Sequence, residues 1–131
     1  MRLLLVLITA MLTACRTNPF TETPEKLEAQ VRTFEDVVRW GELEKIYLFV
    51  RQAEGAPPVE VQPGLDNVRV TGYEVGAPLQ ELTPFHWGQT VVIDYVLTDR
   101  QVVRQLVDRQ NWASDDEGKT WYRENPVPQF R

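Results

Sequence analysis

Trp87-Gly88-Gln89-Thr90-Val91-Val92-Ile93-Asp94-Tyr95-Val96-Leu97 is the stretch that decides the fold. Trp87, Gln89, Val91, Ile93, Tyr95 and Leu97 fall on one face of an extended chain. Val92 and Val96 fall on the other. Alternation at period two with β-branched residues on both faces predicts a central strand. Thr98-Asp99-Arg100-Gln101 then turns the chain, and Val102 to Trp112 is a second long strand. A turn centred on Asp99-Arg100 sets the register: Asp94 faces Gln105, Tyr95 faces Arg104, and Val91 faces Asp108.

Outward from that hairpin, Ser114-Asp115-Asp116-Glu117-Gly118 has turn composition, and Lys119 to Arg123 is expected to return as a last strand with Trp121 near Trp112. Pro126 and Pro128 predict a loose C-terminal tail over 125–131. On the other side, Val68 to Val75 alternates and reads as a strand that Gly76-Ala77-Pro78 ends. Leu79 to Phe85 is an edge strand or a loop, because Pro84 removes a ladder donor. Glu54 to Asp66, with three prolines and two glycines, reads as a loop in which Val59 and Val61 form a short edge strand.

Helical periodicity precedes these strands. Leu27, Val31, Phe34 and Val38 recur at spacings of four, three and four, one apolar stripe. Thr23 is expected to cap this helix, with Pro24 in its first position and Glu25 at the positive end of its dipole. Gly41 is expected to end it in a left-handed conformation. Glu42 starts a second short helix with the stripe Leu43, Ile46, Tyr47, Val50. The fold class is therefore α+β: two N-terminal helices packed on a curved antiparallel sheet.

The first residues concern address. Arg2 precedes a nearly unbroken apolar run from Leu3 to Ala14, the pattern of a secretory signal. The run is shorter than the ~20 apolar residues that span a bilayer. It ends in Leu12-Thr13-Ala14-Cys15, which resembles the lipobox of bacterial lipoproteins at all four positions. The resemblance implies cleavage of residues 1–14 and a diacylglycerol on the Cys15 thiol. It also implies a palmitate-type chain on the new amine. Residues 15–23 are then a lipidated tether, and the membrane is a partner through that lipid. Arg16 follows Cys15 where an Asp would favour inner-membrane retention. The implied location is the periplasmic side of the cell envelope, on the outer membrane. Cys15 is the only cysteine, so it has no intramolecular disulfide partner, a puzzle that lipidation removes.

Composition narrows the rest. Removing 1–14 leaves 117 residues, one domain of common size, and takes away only Arg2, which moves the net charge from −5 to −6. An acidic chain with scattered Lys26, Lys45 and Lys119 is unsuited to nucleic acid. With Cys15 committed to lipid and His86 the only histidine, a Cys/His zinc site is excluded. No cofactor is expected either. Gly118-Lys119-Thr120 is similar to the end of a phosphate loop, but Ala113 stands where that motif needs its first glycine.

Two segments carry a second resemblance. Val38-Arg39-Trp40-Gly41-Glu42-Leu43-Glu44-Lys45 is like the helix–Gly-acidic–helix corner of the NTF2-like (cystatin-like cone) superfamily. Gln110-Asn111-Trp112, followed by Asp115-Asp116-Glu117-Gly118-Lys119-Thr120-Trp121-Tyr122, is similar to its late Trp–acidic turn–Trp hairpin. The resemblance covers residues 24–124, with Pro57 to Leu65 standing where that superfamily often has a third helix. It implies a cone whose interior takes an apolar ligand, or in some members an acid–base lyase or isomerase site. Tyr95, Asp94, Arg104, Asp108 and Trp112 are the candidate pocket residues. A carboxylate there would have a raised pKa and serve as a base. On a wet face, or paired across strands, it would have no catalytic task. No catalytic residue is assigned. The function expected is a membrane-anchored, non-enzymatic module that binds an envelope protein or an apolar ligand. The alternative is a tethered lyase or isomerase. Self-pairing through the sheet face is a further expectation.

Overall fold

The computed structural model describes residues 22–131. The lipobox, the signal peptide expected over 1–14 and most of the tether lie outside the described residues.

Helix α1 spans Glu25–Trp40 and buries Leu27, Phe34 and Val38 of the stripe read from periodicity, while its fourth member, Val31, is half-buried against the core. Its start differs from expectation. Pro24 is the flanking residue rather than the first helical one, and Thr23 makes no side-chain cap; Glu28 N–H bonds Pro24 C=O at 3.0 Å. Glu25 and Glu28 in the first turn face the positive end of the dipole instead. Gly41 closes the helix in an extended conformation (φ −92°), not a left-handed one. It is needed for space: a Cβ there would lie 3.1 Å from both Cα and O of Val37.

The second helix is a 3₁₀ segment, Leu43–Phe49. Three residues per turn put Leu43, Ile46 and Phe49 on one face. All three are buried, as is Tyr47, while Val50 is only half-buried and Leu48 stands out at 80% exposure. A further 3₁₀ turn, Leu65–Asn67, leads into the sheet. No strand forms at Val59–Val61, and Val61 is exposed.

The sheet is antiparallel, four-stranded and open, in the order β1-β2-β3-β4. The strands are β1 (Val68–Thr83), β2 (His86–Leu97), β3 (Val102–Ala113) and β4 (Tyr122–Arg123). β2 is central, and its pairing with β3 has the expected register: Asp94↔Gln105, Tyr95↔Arg104, Val91↔Asp108. β1 does not end at Gly76-Ala77-Pro78. It runs on beside β2, and register shifts at Val75/Ala77 and Ala77/Gln80 absorb the interruption. Pro78 is tolerated because β1 is outermost in the sheet. β4 is only two residues long: Lys119-Thr120-Trp121 is gathered into the preceding turn by Asp116 rather than paired.

The core lies between α1, the 3₁₀ segment and one sheet face. Phe34, Phe49 and Trp112 meet edge to face, with centroids 5.1, 5.6 and 6.3 Å apart. Trp87 and Trp121 are also buried, whereas Trp40 is 77% exposed. The C-terminal tail is not loose. Val127 and Phe130 are buried, and Phe130 packs edge to face on Tyr95 at 5.2 Å. Those two apolar side chains outweigh the prolines that flank them.

Candidate functional site

Directly paired residues share a sheet face, so the register sorts the five candidates. Asp108 (opposite Val91), Trp112 (opposite Trp87), and Tyr95 and Arg104 (opposite each other) lie on the core side. Asp94, opposite Gln105, lies on the outer side. The five therefore do not line one pocket. Asp94 Oδ1 accepts from Gln105 Nε2 at 2.8 Å, and its Oδ2 lies over Gly72, 3.0 Å from where a Cβ would stand. Arg104 is exposed beyond the edge of the core. Tyr95 is buried, and its hydroxyl donates to Arg131 O (2.6 Å) and accepts from Arg131 N (3.0 Å).

Asp108 sits at the centre of a polar cluster that Trp112 joins through its indole N–H. Arg123 on β4 grips it bidentately, Nη2 to Oδ1 at 2.6 Å and Nη1 to Oδ2 at 2.9 Å. Gln110 Nε2 adds a bond to Oδ2 at 3.0 Å. Gln110 carries the network on. It accepts from Gln89 Nε2 (2.8 Å) and Trp112 Nε1 (3.1 Å), and donates to the Tyr73 hydroxyl at 3.0 Å. Arg123 also donates to the carbonyls of Asn125 (3.2 Å) and Pro126 (3.0 Å), and its guanidinium stacks over Phe34. Burial pushes the Tyr73 hydroxyl up to about 12, although the bond from Gln110 opposes the shift. It stays protonated at neutral pH.

Three charge-assisted or amide donors on its two oxygens make Asp108 the buried ion-pair partner of Arg123. The cluster ties β3 and β4 to the chain end. A cleft of about 410 Å³ between Val107, Asp108, Arg123, Asn125 and Pro128 opens beside it. A larger groove of about 520 Å³ lies at the corner of α1 and the 3₁₀ segment, between Trp40, Leu43, Leu65 and β1 at Val68–Val70.

Periodicity missed Arg123, Gln110, Gln89 and Tyr73. A signal did exist: Gln89 and Gln110 occupy core-facing positions and are register partners, so two polar side chains had to meet inside. His86 is exposed, 3.7 Å from Glu124. Among the described residues, no group of three His, Cys, Asp or Glu side chains is placed to hold a metal ion. No helix among them is long and apolar enough to cross a membrane.

Comparison with protein-family models, with characterised proteins and with solved structures finds no match to the chain.

Proposed function

We propose that this chain is a bacterial lipoprotein of the cell envelope, cleaved before Cys15 and held by lipid on that residue. On this reading the domain faces the periplasm from the outer membrane, has an NTF2-like fold, and works as a non-enzymatic binding module. The observation that carries the anchor is that the only cysteine stands at the end of the apolar run, behind Leu12-Thr13-Ala14. Two or more acyl chains make such anchoring stable, because each buried CH₂ adds about 0.8 kcal/mol. Support for the NTF2-like fold is the order of its parts: a helix, a tight Gly-acidic corner, a short second helix, then sequential antiparallel strands. Support for binding over catalysis is the space between helix and sheet. The Phe34–Phe49–Trp112 cluster and the Asp108–Arg123 pair occupy it, so recognition falls to the surface.

Cys15→Ser tests the anchor. The parent should incorporate labelled palmitate and sediment with membranes. The variant should lose the label and accumulate as uncleaved precursor or in soluble form. A variant that is processed and partitions as the parent does would remove the lipoprotein assignment.

A further inference from the structure

We propose that the outer face of the sheet is the interface of a two-fold dimer whose axis crosses the strands at the Asp94–Gln105 row. The inference goes beyond the lipoprotein reading and does not depend on it.

The outer-facing positions form a grid. On one side of the Asp94–Gln105 row stand the register partners Val92 and Val107, with Glu74 beside Val92 on β1. On the other side stand Val96 and Val103, with Arg69 beside Val96. Val107 is 58% and Val103 72% exposed, and Arg69 and Glu74 are exposed. With Val92 and Val96 half-buried beside them, the exposed Val103 and Val107 give this face an apolar strip on either side of the axial row.

The charges decide the occupant. A two-fold axis lying in the face and perpendicular to the strands exchanges the rows above and below it. Val92 then meets Val96 of a second copy, Val107 meets Val103, and Glu74 meets Arg69, each contact occurring twice. A self-complementary pattern of this kind is what a two-fold interface requires. The axial row is low: Gly72 has no side chain, and the Asp94 carboxylate lies over it and bonds Gln105. Two sheets therefore approach at this row without a bulky group between them. Asp94, Gln105 and Gly72 each meet their own copy on the axis, and of these Asp94 makes a like-charge contact that costs affinity.

The size fits a modest dimer. Three strands about 4.8 Å apart, each contributing about eight residues of 3.3 Å, make a face of about 14 by 26 Å. Two such faces bury on the order of 1,000 Å² together, the low end for a specific association.

The test is sedimentation equilibrium of the detergent-purified full chain and of charge variants, with the melting temperature of each as a folding control. Glu74→Arg puts two cations opposite each other, and Arg69→Glu puts two anions opposite each other. Each should weaken the dimer about tenfold or more. The double variant Glu74→Arg/Arg69→Glu should restore it, and Asp94→Asn should tighten it. In membranes, Gln105→Cys lies beside the axis and should give a disulfide-linked dimer under mild oxidation, with the parent as control for Cys15. A parent that stays monomeric to about 1 mM overturns the proposal, as does a double variant as weak as the singles or a different protein captured by Gln105→Cys.

Discussion

Asp108 on β3 and Arg123 on β4 form a bidentate ion pair inside the core, at 2.6 and 2.9 Å, with side chains 2% and 1% exposed. Removing both charges from water is costly, and their mutual attraction plus the bond from Gln110 roughly offsets that cost. The pair contributes little net stability but cannot lose one member.

Arg123→Met should therefore cost about 3–5 kcal/mol in urea denaturation, because Asp108 is left buried and unpaired. Asp108→Leu should cost a similar amount. The double variant Asp108→Leu/Arg123→Met should recover most of the loss, since well-packed apolar side chains replace the pair. A single variant that loses under about 1 kcal/mol would mean that water reaches the pair.

Much of this was legible from period and turn position. The β2–β3 register follows from one turn, because a one-residue slip would move every apolar residue of β2 to the wrong face. The stripe of α1 was legible for the same reason. Departures arose where tertiary contact overrode local propensity. Pro78 remains in β1 because β2 is long enough to pair beyond it. Gly41 serves by being small against Val37, a fact of neighbours rather than of helix ends. The partner of Asp108 was invisible for a related reason: Arg123 reaches it only after the 114–121 segment has folded back, and no local pattern encodes that path.

The 114–120 turn supplies a pH test. The Thr120 hydroxyl (2.5 Å) and backbone N–H (2.9 Å) both donate to Asp116, with Ser114 Oγ at 2.8 Å, and these bonds lower its pKa from 3.8 to about 2. A depressed acid contributes stability that is present above its unfolded pKa and lost as pH falls through the folded one. The contribution should be complete above about pH 4 and fade towards pH 2. Thr120→Val removes the hydroxyl, the largest cause, so the Asp116 carboxyl should titrate nearer 3.8 in a carbon-detected NMR titration. An unmoved titration would mean that the bond is not populated in solution.

The chain end provides the last test, because the prolines that marked it as loose proved to flank core residues. Gln62 clamps the backbone of Phe130 from both sides: Nε2 donates to its carbonyl at 2.6 Å, and Oε1 accepts from its N–H at 2.9 Å. The Phe130 ring lies edge-on to Tyr95, whose hydroxyl holds Arg131. A phenylalanine 2% exposed and seated in this way should behave as a core residue. Phe130→Ala should cost about 3–5 kcal/mol through lost transfer energy and the cavity left beside Tyr95. Gln62→Ala should cost about 1–3 kcal/mol, since it leaves a buried N–H and a carbonyl without partners. Gln129→Ala, at the exposed position just before Phe130, should stay within about 0.5 kcal/mol. Denaturant unfolding of the three variants checks the order, with near-ultraviolet circular dichroism reporting the Tyr95 environment. If Phe130→Ala were as mild as Gln129→Ala, the tail would be detached in solution, and Tyr95 would line an open cleft instead of a filled one.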